Sequence, residues 1–71
     1  MNVVCYANRV DGYNGDTSRV LITLENGKVY ENHAHGSHRS AVLDMYIFDN
    51  VDTALWYVKR KSDFYSNVME C

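Results

Sequence analysis

An Asn-Gly pair between two β-prone runs is the clearest short-range structural signal in this chain. Residues 19–25 alternate Val, Ile and Leu with other side chains, Asn26-Gly27 follow at once, and residues 28–35 resume a β-prone pattern. Asn-Gly is the strongest short-range hairpin signal, because both residues tolerate the positive φ angles of a tight turn. The pattern therefore predicts an antiparallel hairpin over residues 19–35.

Two registers of this hairpin compete. A two-residue turn pairs Ile22 with Glu31 and places Glu31, together with the histidines two and four positions later, on the apolar face. A three-residue loop with Gly27 in the left-handed region pairs Ile22 with Tyr30 instead and turns Glu31 outward. Because a buried carboxylate or imidazole without a partner is costly, we predict the three-residue loop.

The segments on either side supply further elements. Residues 2–10 are rich in β-formers, which predicts a first strand. Residues 50–69 carry apolar side chains three or four positions apart, the stripe of an amphipathic helix, and Asp49 or Asn50 is suited to cap it. A strand over residues 55–59 stays open as an alternative, since Trp, Tyr and Val favour strands.

The remaining segment, residues 39–48, is almost continuously apolar. Ala, Leu and Met within it favour a helix, and a fourth strand is the alternative because its end suits a buried strand. The sequence thus predicts a single α+β domain over residues 1–71. Its predicted architecture is a three-stranded antiparallel sheet, made of the hairpin 19–35 and the N-terminal strand, with two C-terminal helices packed on one face in the order βββαα.

Composition and charge narrow the function classes. The chain has 71 residues and a net charge of −2, which gives no general basic footprint for phosphate binding. Neither a signal peptide nor an apolar run long enough to span a membrane is evident, and Cys5 and Cys71 are the two cysteines. We therefore expect a cytoplasmic protein without a disulfide. No nucleotide-binding or nucleophile motif is present, so we expect neither enzymatic activity nor a cofactor.

Three histidines close together are the one pattern with metal-ligand chemistry. His33 and His35 project to one side of a strand, and Gly36 lets the chain turn so that His38 joins them. Three imidazoles suit zinc, nickel or copper. Six consecutive residues give an awkward site, however, and solvated side chains at a strand end explain the pattern more simply. A metal-binding module is the third functional hypothesis.

A compact basic run supports a second hypothesis. Lys59, Arg60 and Lys61 are consecutive, and with Arg39 and the tyrosines of the sheet they offer contacts to phosphates and bases. The alternative is a solvated helix face with intrahelical ion pairs. A small nucleic-acid-binding regulator is therefore the second functional hypothesis, although the net charge disfavours it.

The aromatic content supports the leading hypothesis. Nine of the 71 residues are aromatic, six of them Tyr, which is a side chain typical of interfaces. The sequence predicts a non-catalytic protein that binds another protein, a host or cognate partner, and that forms a homodimer. A small chain without motifs also fits a phage or mobile-element inhibitor of a host enzyme or defence complex. The residues predicted to contact the partner are Tyr13, Tyr30, Trp56 and Tyr57.

Overall fold

The described residues form one antiparallel sheet with a single helix packed on it. The computed structural model describes residues 2–10, 15–33, 39–42, 46–61 and 64–70. Its elements, in chain order, are β1 (Asn2–Val10), β2 (Thr17–Glu25), β3 (Lys28–His33), β4 (Arg39–Val42), α1 (Val51–Arg60) and β5 (Tyr65–Glu70). The five strands pair antiparallel in the order β4-β3-β2-β1-β5, so that β4 and β5 are the edges.

The predicted three-stranded sheet with two helices is wrong, although the class remains α+β. Residues 39–42 pair with β3 as a fourth strand, the alternative that the apolar run left open. The predicted helix over 50–69 stops at Arg60, and residues 65–70 form a fifth strand on β1. The physical reason is that β1 otherwise has an unpaired edge, and pairing it satisfies backbone groups that a longer helix leaves exposed.

The hairpin adopts the two-residue turn, so the predicted three-residue loop is also wrong. Glu25 pairs with Lys28, and Ile22 pairs with Glu31. Asn26 and Gly27 have φ angles of 53° and 81°, as a tight hairpin turn with two left-handed residues requires. Glu31 therefore faces the apolar side of the sheet. The cost that argued against this register is avoided because the carboxylate has partners there.

Helix α1 begins at a side-chain cap and packs through one narrow stripe. The Asn50 Oδ1 atom accepts a hydrogen bond from the Thr53 backbone N–H at 2.9 Å, which confirms the N-cap prediction. Ala54 and Val58, four residues apart, are fully buried against the sheet, where the helix contacts β1 and β5. At the other end the Lys61 backbone N–H donates to the Val58 carbonyl oxygen. The helix is not long and apolar enough to cross a membrane, and the described residues hold no other helix.

The core lies between α1 and one face of the sheet. Its buried apolar residues are Val4, Cys5, Ala7, Val20, Ile22, Leu24, Val29, Phe48, Ala54, Val58 and Tyr65. Phe48 joins the segment before the helix to the hairpin, because its backbone N–H donates to the Gly27 carbonyl oxygen at 2.8 Å. None of the described elements packs on the opposite face, which we call the bare sheet face. Strand alternation places on it Tyr6, Arg19, Leu21, Tyr30, Arg39 and Met69.

Candidate functional site

A buried carboxylate sits at the centre of a polar cluster on the helix side of the sheet. Glu31 on β3 is only 2% exposed. Its Oε2 atom accepts hydrogen bonds from the Arg9 guanidinium, at 2.5 Å, and from the Tyr65 hydroxyl group. Its Oε1 atom lies 3.1 Å from Nε2 of His33, two residues along the same strand. We call Arg9, Glu31, His33 and Tyr65 the Glu31 cluster.

The partners explain how the sheet tolerates a buried charge. A carboxylate loses its hydration on burial, and only a well-placed cation and further donors offset that loss. The Arg9 guanidinium also lies over the rings of Phe64 and Tyr65, at 5.2 and 5.8 Å from their centroids. Burial acts to lower the pKa of Arg9, but the Glu31 carboxylate more than offsets it and the pKa is raised. The cation therefore stays charged beside the carboxylate.

An open cleft of about 620 Å³ lies beside the cluster. Its lining includes Arg9, Ser18, Glu31, His33, Ser40 and Val42, which share the helix-side face. The two carboxylate oxygens already face three partners, so Glu31 presents little capacity to a molecule in the cleft. A molecule in the cleft would instead contact the half-exposed Arg9 and the partly exposed His33, which the buried carboxylate holds in place.

The Tyr65 hydroxyl group gives the cluster a predicted dependence on alkaline pH. Burial, followed by the hydrogen bond to Glu31, raises the pKa of Tyr65 above its ordinary value. A raised pKa in the folded state contributes stability in full below the unfolded value, about pH 10, and loses it as the pH rises further. We expect the free energy of unfolding, from urea titrations, to fall above about pH 10.

Two phenylalanine variants separate this effect from other titrations. Tyr65→Phe is expected to lower stability by about 1–3 kcal/mol at neutral pH, because the hydrogen bond to a buried carboxylate is lost. It is also expected to flatten the alkaline decline. Tyr6→Phe, which alters a half-exposed tyrosine on the bare sheet face, serves as the control and should retain the decline. An unchanged decline in Tyr65→Phe contradicts the assignment.

A second feature is a group of aromatic rings at the start and on the outside of α1. The ring of Tyr57 lies 4.7 Å from that of Tyr46, 5.4 Å from that of Phe48 and 5.5 Å from that of Trp56. Phe48 is buried beneath them, whereas Ile47 and Trp56 are 69% and 53% exposed. We call Tyr46, Ile47, Trp56 and Tyr57 the aromatic surface. The structure thus brings together two of the four residues predicted to contact a partner, Trp56 and Tyr57.

The other two predicted contact residues lie elsewhere or outside the described chain. Tyr30 pairs with Thr23 and Ala41, so its side chain lies on the bare sheet face, on the side away from α1. Tyr13 falls outside the described residues. The four predicted contact residues consequently do not form one surface within the part of the chain that the structure describes.

The basic residues of the nucleic-acid hypothesis are divided between two surfaces. The Arg60 guanidinium lies 4.4 Å from the ring centroid of Trp56, next to Lys59 and Lys61 at the end of α1. Arg39 lies on the bare sheet face, where its guanidinium stacks on Tyr30. The structure therefore separates Arg39 from the basic run by the thickness of the sheet.

Of the three histidines predicted to bind a metal, only His33 is among the described residues. His33 lies beside Glu31, as given above. His35 and His38 fall outside the described residues, as does Cys71. Within residues 2–10, 15–33, 39–42, 46–61 and 64–70, no group of three His, Cys, Asp or Glu side chains is placed to hold a metal ion.

Sequence reasoning misses Arg9, Glu31, Tyr65 and Tyr46 as candidate site residues. The signal for Glu31 was the Asn-Gly turn itself, because its usual two-residue register pairs Ile22 with Glu31. Nothing local identifies Arg9 or Tyr65, which lie 22 and 34 residues from Glu31 in the chain. Comparison of the chain with protein-family models, curated proteins and solved structures finds no match.

Proposed function

We propose that this protein is a non-catalytic module that binds another protein through the aromatic surface. The observation that supports the proposal is the exposure of Ile47 and Trp56 beside the tilted, contacting rings of Tyr46 and Tyr57. Large apolar side chains exposed next to one another are typical of interaction sites, and Trp and Tyr contribute most of the binding energy at many interfaces.

The packing of these rings favours tight binding. Trp56 and Tyr57 are fixed on α1, and Tyr57 contacts both Tyr46 and the buried Phe48. Ordering side chains at an interface costs free energy, so rings already held in place lose less on binding. The aromatic surface is thus arranged to contact a partner without rearrangement.

The charges beside the aromatic surface indicate what the partner presents. Arg60 stacks on Trp56, and Lys59 precedes it in the last turn of the helix. A matching partner offers an apolar pocket for Trp56 with carboxylates at the rim nearest the C-terminal end of α1. The rim charges contribute mainly to orientation and association rate, whereas the pocket contributes most of the affinity.

Removing the indole ring tests the proposal. We expect Trp56→Ala to weaken partner binding by about thirtyfold or more, the effect of losing an interface hot spot of about 2 kcal/mol. The partner is first isolated by affinity capture from the native host and identified by mass spectrometry. The affinity of the purified pair is then measured by calorimetry for the wild type and each variant.

A matched control is available on the other side of the sheet. Tyr6 is an exposed aromatic residue on the bare sheet face, so Tyr6→Ala is expected to leave partner binding unchanged. Equal affinities of the wild type and Trp56→Ala contradict the proposal, provided that circular dichroism shows both to be folded. A larger loss of partner affinity in Tyr6→Ala than in Trp56→Ala contradicts the proposal as well.

The narrower hypotheses stay predictions. A homodimer through the aromatic surface buries the same side chains, and sedimentation of the wild type and Trp56→Ala tests it. Inhibition of a host enzyme or defence complex by a phage or mobile-element protein is tested by assaying the captured partner with and without the purified chain.

A further inference from the structure

One row of side chains runs across all five strands on the bare sheet face. Met69, Tyr6, Leu21, Asn32 and Arg39 are consecutive register partners from β5 to β4. Neighbouring strands lie about 4.8 Å apart, so the row extends roughly 19 Å. Tyr6 and Met69 are 43% and 56% exposed. The face is therefore a wide, shallow platform.

The charge of this platform differs in sign from that of the chain. Three cationic strand residues lie on this face, namely Arg19, Lys28 and Arg39, and Glu25 is the single carboxylate beside them. The whole chain, in contrast, has a net charge of −2. Among the strand residues that the structure describes, the excess of two cations is thus concentrated on the face that no described element covers. Such a surface attracts phosphate groups.

The same charge argues against a second copy of the chain as the occupant. Face-to-face packing of two identical sheets brings the two sets of cations together, and like charges in an interface reduce affinity. Arg39 forms an ion pair with Glu25. Arg19 instead donates a hydrogen bond to the Met69 sulfur at 3.4 Å. A polyanion complements this surface better than another copy does.

The cations are combined with aromatic rings. The Arg19 guanidinium lies 5.5 Å from the ring centroid of Tyr6, and that of Arg39 lies 3.9 Å from the ring centroid of Tyr30. Unpaired bases stack on tyrosine rings and on guanidinium planes alike. Between the two pairs, the Asn32 side-chain amide is fixed by hydrogen bonds to the Leu21 carbonyl oxygen and the Thr23 hydroxyl oxygen, at 2.9 and 3.0 Å.

From these observations we infer that the bare sheet face binds single-stranded nucleic acid without sequence preference. One base stacks on Tyr6, the Arg39 guanidinium over Tyr30 offers a second stacking plane, and phosphates contact Arg19 and Arg39. Arg39 exchanges its exposed pairing with Glu25 for a phosphate at little cost, because exposed ion pairs contribute little. This inference is independent of the aromatic surface and does not require the Lys59-Arg60-Lys61 run.

Fluorescence anisotropy of labelled oligonucleotides tests the inference on the full chain. The probes are oligo-dT and oligo-U of about 12 nucleotides, within the usual range of site sizes. We expect Tyr6→Ala to weaken binding about tenfold, because a stacked base is lost, and Tyr6→Phe to retain most of the affinity. We expect Arg19→Gln to weaken binding and to reduce the dependence on salt by about one phosphate contact between roughly 50 and 200 mM.

The control variant is Trp56→Ala, which changes an exposed aromatic residue on the other side of the sheet and should leave oligonucleotide binding unchanged. If Tyr6→Ala does not fold, the test uses Arg19→Gln and Arg39→Gln, which change exposed side chains and are both expected to weaken oligonucleotide binding. Absence of binding at about 100 μM protein, weaker than ordinary non-specific binding, overturns the inference. An affinity for the oligonucleotides that none of these substitutions changes also overturns the inference. A dimer that Tyr6→Ala dissociates overturns it as well, because that result assigns the bare sheet face to a second copy of the chain.

Discussion

Replacing Glu31 with alanine is expected to lower the free energy of unfolding by about 3–4 kcal/mol, the lower part of the usual cost of breaking a buried ion pair, because the Arg9 side chain is 36% exposed. The Arg9 guanidinium then lacks its carboxylate, and the buried Tyr65 hydroxyl group lacks its acceptor. A domain of this length is stabilised by roughly 4–10 kcal/mol in total. The variant is therefore expected to be unfolded or close to unfolding at physiological temperature.

The measurement is urea denaturation followed by circular dichroism, with Glu25→Ala as the matched control. Glu25 also pairs with an arginine, Arg39, but both side chains are exposed. Its removal is expected to cost less than about 1 kcal/mol, as for most surface ion pairs. Similar losses in Glu31→Ala and Glu25→Ala contradict the central role of the Glu31 cluster.

A third variant separates charge pairing from packing. Replacing Arg9, Glu31 and Tyr65 together with Met, Leu and Phe removes every member of the Glu31 cluster except the partly exposed His33. Buried ion pairs are often replaced by apolar residues without loss of stability. We therefore expect the triple variant to be more stable than Glu31→Ala. If it is instead less stable, the shape of the cluster matters more than its charges.

The same cluster explains why the hairpin register was predicted wrongly. The local signal, Asn26-Gly27, favoured the correct two-residue turn. That turn directs Glu31 into the core, which is costly for a carboxylate without partners, so the general cost of burial favours the other register. The partners come from β1 and β5, far away in sequence, so no local argument supplies them. Where a strong turn signal predicts a register that buries a carboxylate, the better inference is that a cation far away in the sequence pairs with it.

Local sequence patterns did not decide the strands at the two edges of the sheet, for a related reason. The hairpin, the first strand and the start of α1 follow from local patterns and were confirmed. Arg39–Val42 and Tyr65–Glu70 become strands because β3 and β1 offer unpaired edges, which is a property of the assembled sheet. The apparent stripe across residues 50–69 had no apolar position between Val58 and the buried Tyr65 other than Phe64. That gap marked the end of the helix.

The candidate sites were predictable only in part. Trp56 and Tyr57 were found from the sequence because large aromatics on an amphipathic helix are conspicuous. Tyr46 was not, since its place beside Tyr57 depends on the irregular segment before α1. The bare sheet face was not predicted either, because two helices were expected where the described residues hold one.

Phe48 connects the fold to the aromatic surface, and its replacement with alanine is the second large effect expected. Its ring is 4% exposed and lies beside Tyr46 and Tyr57, and its backbone is bonded to the hairpin turn at Gly27. Truncating a buried Phe leaves a cavity and costs about 3–5 kcal/mol. We expect that loss of stability in urea denaturation, together with a reduced near-ultraviolet circular dichroism signal from the neighbouring tyrosines.

The adjacent residue provides the control, because Ile47 is 69% exposed although it is also apolar. Ile47→Ala is expected to change stability by less than about 0.5 kcal/mol, as for most surface substitutions. It is nevertheless expected to weaken partner binding, since Ile47 belongs to the aromatic surface. The two neighbours thus have separate expected roles: Phe48 holds the aromatic surface in place, and Ile47 is proposed to contact the partner. A large loss of stability in Ile47→Ala, or none in Phe48→Ala, contradicts this division.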